Sequence, residues 1–511
     1  MKPTSKNELK LGVILNYTTI IITVLVGLIL TPFIINNLGD AEYGLYTLMG
    51  AFVGYITVLD FGLNNTIIRF VARYRTKEDK IGEENFLATV MSIYGIISII
   101  ILVVGMILYL NLDTIFSNSL TIEELEKAKL MFIILIFNIA FTLPGGSFKA
   151  ISSAYEHFVF PRVAEIIKYI IRSLLVVSLL LYGGDSIGLV IIDTIMNLLI
   201  ISVNTYYVFR VLKVKFKFHS FKFHFVKEVF SYSIWIFVFS IVGLLQWQFG
   251  QVALGVLLDT TSVAIYAVGV MLGTYYGTFS SAISSVFMPK ATKMIVNKAT
   301  DMELTLMMVK IGRFSLLVLL LILGNFLLFG KQFILLWVGN SYHLAWLIAL
   351  TIMIVYTIPL VQSFANIILE AKALFKYKAI VYISSIGFGA FWGAMLVPEY
   401  GIYGMTVGTS IGWLLSIIIM NIYYNKVIGL NIFIFFKMLL SKILPAYIFI
   451  LIIGYFINYI EGSSWTNFSI KVLLFSIIYI FIMSKFGMKD EEKNTFTSLI
   501  PFKRKNNAEI K

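Results

Sequence analysis

Long apolar runs alternate along the chain with short polar breaks, most of them basic. A membrane-spanning helix needs about 20 predominantly apolar residues. On that criterion the pattern predicts fourteen spans, at 11–36, 43–70, 86–111, 128–146, 160–182, 186–210, 229–257, 262–288, 304–330, 344–369, 378–397, 401–425, 438–460 and 467–484. The last is short and contains Lys471; the fifth opens on Pro161 and Arg162. The first run exceeds the roughly 7–15 apolar residues of a signal-peptide core and no small-residue cleavage site follows, so it is expected to stay as a helix. Pro32, Pro144 and Pro359 interrupt otherwise helical runs and predict kinks.

The polar breaks set direction. Fourteen spans place both termini on one side, and 36 of the 40 Lys and Arg then fall on that side. Only Lys127, Lys129, Lys331 and Lys471 fall on the other. The basic side is expected to be cytoplasmic. The longest outward segment, about 111–127, is acidic, and no segment has room for a globular domain. The longest inward one interleaves Lys213, Lys215, Lys217, Lys222 and Lys227 with Phe216, Phe218, Phe221, Phe223 and Phe225. Beside a membrane, that alternation orients the chain or lies on anionic lipid. Lys503-Arg504-Lys505 in the tail reads the same way.

Composition narrows the class further. The 511 residues are 59% hydrophobic and 13% charged, against about 25% charged in soluble domains. Soluble enzyme folds and disordered scaffolds are excluded. The net charge of +13 is topological rather than a nucleic-acid footprint. Cysteine is absent and the four His have no metal-ligand spacing. No Walker A sequence and no catalytic constellation is found, so neither an enzyme nor a resident cofactor or metal is expected.

A shift of 220 residues brings Leu38–Tyr46 onto Leu258–Tyr266 and Arg73 onto Lys293, with predicted spans in register over six helices. An even number of helices per repeat gives two halves of the same orientation. The expected fold is therefore an all-α polytopic membrane protein of 14 transmembrane helices, built as two parallel-related six-helix bundles plus two C-terminal helices. The expected divisions are 1–212 for the first bundle, 213–228 for a cytoplasmic basic linker, 229–430 for the second bundle, 431–484 for helices 13–14, and 485–511 for a basic cytoplasmic tail. Such a duplication encloses a cavity, and its default use is transport by alternating access.

Three stretches carry a more specific resemblance: Glu42-Tyr43-Gly44-Leu45-Tyr46, Leu59-Asp60-Phe61-Gly62-Leu63-Asn64-Asn65 and Arg69-Phe70-Val71-Ala72-Arg73. Together they resemble the first hairpin of bacterial polysaccharide-transport flippases, of the superfamily that also holds multidrug and toxin extrusion exporters and the lipid II flippase. Ala264-Ile265-Tyr266-Ala267-Val268 resembles their eighth helix. The resemblance implies a flippase of the bacterial cytoplasmic (inner) membrane, moving polyprenyl-pyrophosphate-linked oligosaccharide repeat units outward for surface polysaccharide. It implies lipid-linked oligosaccharide and membrane lipids as partners, with a polysaccharide polymerase and glycosyltransferases as neighbours, and no nucleic acid.

For such a cargo, pyrophosphate calls for cations, and sugars for amides, hydroxyls and aromatic faces. Candidate substrate contacts are Arg172 and Lys168, which share a helix face at i, i+4, Arg69, Arg313 and Lys310, and the amides Gln248 and Gln251. Arg172, about ten residues inside the fifth span, is the strongest candidate. Asp60 and Asp193 lie within apolar runs, where a charge costs about 2.5–3.5 kcal/mol on insertion scales. Each is expected to bind a coupling H⁺ or Na⁺, or to pair with a cation. The same residues leave two other readings open. One is an ion-coupled multidrug antiporter of the same superfamily, the other a membrane glycosyl polymerase or ligase.

Overall fold

The computed structural model describes residues 6–219, 223–372 and 374–493. Phe221, Lys222 and the tail motif Lys503-Arg504-Lys505 lie outside the described residues, as do the side chains of Phe223, Phe225 and Lys227. Among the described residues every regular element is a helix. Among the described residues ten helices are long and apolar enough to cross a membrane, and twelve passes result when two bent pairs each count as one. The chain is thus an all-helical, multi-span membrane protein. It divides into two compact units: Met1–Ala267 with Lys376–Gly412, and Val268–Phe375 with Trp413–Lys511.

The first unit opens with α1 (Lys6–Leu38), which contains Pro32. Gly39, at φ 85°, turns the chain into α2 (Asp40–Gly54). A 3₁₀ turn over Tyr55–Asp60 follows, and then Phe61 and Gly62 in left-handed backbone before α3 (Leu63–Thr76). The second pass is therefore broken where the sequence places Gly62, the residue type that reaches this conformation without steric cost. Next come α4 (Lys80–Ile115), capped by Asp79, and α5 (Ile122–Ala154), opened by a Thr121/Glu124 capping box. The capping box satisfies two of the amide groups that a helix start leaves without partners. Then follow α6 (Val159–Leu181) and α7 (Ser186–Tyr206).

Three packing facts position the site. Gly145 of α5 lies under Ile201 of α7, so closely that a Cβ there would meet Ile201 at 2.5 Å. Gly183, at φ 78°, and the Asp185 cap on the Gly188 amide (3.0 Å) fold α6 and α7 into an antiparallel hairpin. At the start of α2, a Cβ on Gly44 would stand 1.8 Å from the Thr260 carbonyl oxygen. Small residues at such crossings let helices approach where lipid offers no hydrophobic drive. The unit continues with α8 (Phe223–Trp247) and α9 (Phe249–Leu257), bent by 49° at Gln248. The opening turns of α10 (Thr260–Val296) also belong to it.

In the second unit α11 (Asp301–Trp337) starts on a Thr300/Glu303 capping box. It packs on α12 (His343–Val361), which contains Pro359, and on α13 (Ser363–Ala371). The 49-residue α14 (Phe375–Tyr423) is shared by the two units; it joins two helices at Gly401, whose φ 57°, ψ −137° is non-helical. The predicted spans at 378–397 and 401–425 thus meet without a loop. α15 (Ile432–Leu440) and α16 (Ile443–Asn458) are bent by 41° about Lys442, which has φ 64°. The thirteenth predicted span therefore begins earlier than 438, as a short separate helix. α17 (Trp465–Ile482) ends the described spans.

Candidate functional site

The α6–α7 hairpin, α2 and α5 line a cavity of about 310 Å³ that is open on one side. Liquid water occupies about 30 Å³ per molecule, so the space equals about ten waters, at the lower end of ligand-pocket sizes. Arg172 and Lys168 both line it, as their shared helix face requires. Because α7 runs back along α6, Asp193 stands opposite Arg172. Arg172 Nε and Nη2 both donate to the Asp193 carboxylate, the latter at 3.1 Å. Tyr46 of α2 closes a triangle: its hydroxyl donates to Asp193 Oδ2 (2.7 Å) and accepts from Arg172 Nη2 (3.2 Å). Such a two-pronged Arg–carboxylate pair is among the stronger polar contacts available to side chains. It also relieves the cost of carrying either charge inside a span.

Lys168 is held differently. Its Nζ donates to Asn197 Oδ1 (2.5 Å), and Asn197 Nδ2 donates to Asn138 Oδ1 (3.1 Å). Thr142 also donates to that oxygen (2.8 Å). The close α5–α7 contact at Gly145 and Ile201 is what lets these two amides meet. Lys168 thus has a neutral partner, whereas Arg172 has a charged one. The cavity presents two cations, two amides and the rings of Tyr46 and Tyr169, with a single carboxylate, Asp193. It can hold an anion beside a polar, ring-shaped group.

The other predicted site residues lie elsewhere. Asp60, at the break of the second pass, accepts from Tyr94 (2.8 Å) and from Asn64 Nδ2 (3.3 Å). Gln248 sits at the α8–α9 bend with Oε1 buried and without a hydrogen-bond partner, filling the notch left by Gly54. The backbone N–H of Gln251 donates to the backbone carbonyl of Gln248 (3.1 Å). Arg69 is exposed on α3. Lys310 pairs with Glu491 (3.2 Å).

Arg313 departs most from expectation. It is 1% exposed, and all its nitrogens are engaged by the protein. Nε and Nη2 hold Glu492 (2.5 and 3.0 Å), and Nη2 also donates to the Gly487 carbonyl (2.8 Å). Nη1 donates to the carbonyls of Met438, Leu439 and Ser441 (3.0, 3.3 and 3.1 Å). Those carbonyls are the ones the α15–α16 bend leaves without helical partners, and a cation there also complements the helix dipole. Arg313 is therefore a cap for a broken helix, with no donor left for a ligand.

Tyr46, Asn138 and Asn197 belong to the cavity but were not singled out by chemistry. The available signal was an amide within each of two apolar runs, Asn138 alone in 128–146 and Asn197 beside Asn204 in 186–210. Among the described residues no three His, Cys, Asp or Glu are grouped to hold a metal. A second, larger cavity of about 780 Å³ lies at helix ends and mixes Arg75, Lys80, Lys213 and Lys215 with Glu78, Glu83 and Glu84.

The polysaccharide biosynthesis protein family model matches residues 9–295, more than half of the chain and all of the cavity. The chain belongs to that family. Among similar proteins is the uncharacterized membrane protein EpsK of Bacillus subtilis, 22% identical over 448 residues, which span 84% of this chain and 86% of that one. Another is a putative O-antigen transporter of Shigella flexneri, 22% identical over 425 residues, or 77% and 92% of the two chains. The fold matches that of the lipid II flippase MurJ in an inward closed conformation, with a TM-score of 0.72 and 16% identity over 96% of this chain and 99% of that one. It also matches an inward-facing multidrug resistance MATE family transporter of the MOP superfamily, with a TM-score of 0.57 and 13% identity over 80% and 96%. The family resemblance carried by the first hairpin thus holds, and the two structural likenesses show that the chain shares the fold of those transporters.

Proposed function

We propose that this protein is a transporter, not an enzyme, that carries polyprenyl-pyrophosphate-linked oligosaccharide units across the bacterial cytoplasmic membrane by alternating access. The observation that carries the reading is the α6–α7 cavity, where Arg172 and Lys168 stand inside the first unit beside two amides and aromatic rings. Pyrophosphate would meet Arg172 and Lys168, and sugar hydroxyls the amides of Asn138 and Asn197. The polyprenyl tail remains in lipid. A cationic cavity disfavours the cationic drugs of a multidrug antiporter. A glycosyl polymerase or ligase would call for a long outward catalytic loop, and no such segment lies in the sequence. The family membership and the putative O-antigen transporter relative support the same cargo class.

The proposed topology has fourteen passes. It adds α6, whose charges exclude it from an apolarity criterion, to the two bent pairs, and divides α14 at Gly401. Both termini are then cytoplasmic, in a layout of two six-helix bundles and two appended helices. Asp60, at the helix break, is the proposed carboxylate for a coupling H⁺ or Na⁺. Arg69, Lys310 and Gln251 remain secondary contacts in this reading; Arg313 does not.

The test uses cells that make a surface polysaccharide through this protein. With Arg172→Ala in place of the parent, and protein level matched, surface polysaccharide is expected to fall and lipid-linked units to accumulate. Undiminished polysaccharide would overturn the cavity's role.

A further inference from the structure

An anion entering the α6–α7 cavity does not find a waiting guanidinium. Arg172 is already held by Asp193, through Nε and Nη2 on the two carboxylate oxygens. Tyr46 fastens the same carboxylate from a third helix (2.7 Å). A ligand that takes the Nε/Nη2 fork of Arg172 must replace this pair, and the replaced carboxylate stays in the cavity wall as a repelling charge. Lys168, by contrast, is held by a neutral amide oxygen and can be taken at little cost.

We propose that Asp193 is a specificity-determining competitor that sets a minimum charge for the cargo: it admits pyrophosphate-linked lipids, with two negative charges on their diester bridge, and rejects phosphate-linked lipids, with one. The proposal rests on the reading of this cavity as the site of the cargo's anionic group. A single phosphodiester offers Arg172 no more charge than Asp193 already gives, and gains nothing by exchange. A pyrophosphate diester can put one phosphate on Arg172 and the other on Lys168, four residues away on the same face. Its second charge offsets the displaced carboxylate. Discrimination of this kind is a difference of two affinities, and the repulsive element supplies much of it.

The experiment measures binding of two synthetic lipids to the full-length protein in detergent. They carry the same short polyprenyl chain and the same sugar, one through pyrophosphate and one through phosphate. The parent is expected to prefer the pyrophosphate lipid. In Asp193→Asn the phosphate lipid should gain about tenfold, roughly the factor one charge-assisted hydrogen bond supplies, and the preference should shrink accordingly. Tyr46→Phe leaves both charges in place and loosens only the fastening of Asp193. It should shift the preference in the same direction by less, and it decides the matter should Asp193→Asn fail to fold. An unchanged preference in the folded variants would overturn the proposal. If neither lipid loses affinity in Arg172→Ala, the cavity is not the anion site, and the underlying functional reading fails instead.

Discussion

Arg172 and Arg313 each form a two-pronged pair with a carboxylate, yet their surroundings assign them opposite roles. Arg172 faces open space beside Lys168, while Arg313 is sealed among helix-end carbonyls. Removing the guanidinium from Arg313 would leave Glu492, itself 4% exposed, as an unpaired buried charge. Arg313→Ala should therefore destabilise the second unit by about 3–5 kcal/mol, read as loss of unfolding temperature in detergent. Arg313→Lys should recover only part, because an ammonium cannot span the fork and the carbonyls together. Unchanged stability in the Ala variant would remove its capping role. The Arg172–Lys168 stripe was legible in the sequence because i, i+4 spacing is local. The fate of Arg313 was not, since its partners lie 125 to 179 residues away and leave no local signature. Asp60 was legible as a charge at a helix break. Asp60→Asn keeps shape and an acceptor but cannot carry charge. We expect it to retain cargo binding and lose the response of transport to an imposed pH or Na⁺ gradient. A response equal to the parent's would make Asp60 structural.

At the scale of elements, glycines and polar residues set where helices break and how closely they pack. The break after Asp60 follows from Leu-Asp-Phe-Gly, where Phe61 and Gly62 both take left-handed backbone. The bend at Gln248 has no glycine or proline at its centre, which is why an apolar run over 229–257 reads as one straight helix. The start of α2 offers the sharpest test of packing. Gly44→Ala would place a methyl within the radius of the Thr260 carbonyl, which is main chain and cannot rotate away. Gly50, four residues short of the end of α2, has nothing within 4 Å of its Cβ position and borders the cavity. Gly44→Ala should lower both the unfolding temperature and transport, while Gly50→Ala folds as the parent does. Equal behaviour of the two would show that the α2–α10 contact carries no energetic weight.

For the whole molecule, the pattern of apolar runs made an all-helical, multi-span membrane protein legible because a span's length is fixed by the bilayer and not by its neighbours. Apolar length alone could not reveal that α15 and α16 form a bent pair, or that no loop separates the two halves of α14. The basic asymmetry makes the proposed orientation testable on intact cells. Single cysteines at Glu123, Lys217 and Lys505 can be introduced into a chain that has none of its own. An impermeant thiol reagent should label position 123 alone; labelling at 217 would contradict the fourteen-pass arrangement.

The central claim, that Arg172 handles the cargo's pyrophosphate during translocation, is tested most directly in vesicles containing the purified protein and a fluorescent polyprenyl-pyrophosphate oligosaccharide. The quantity measured is the fraction of that lipid reaching the opposite leaflet with time. The account predicts flipping by the parent, near-background rates for Arg172→Ala at equal reconstitution, and partial activity for Arg172→Lys, where charge remains but the planar fork is lost. Flipping by Arg172→Ala at the parental rate would contradict it.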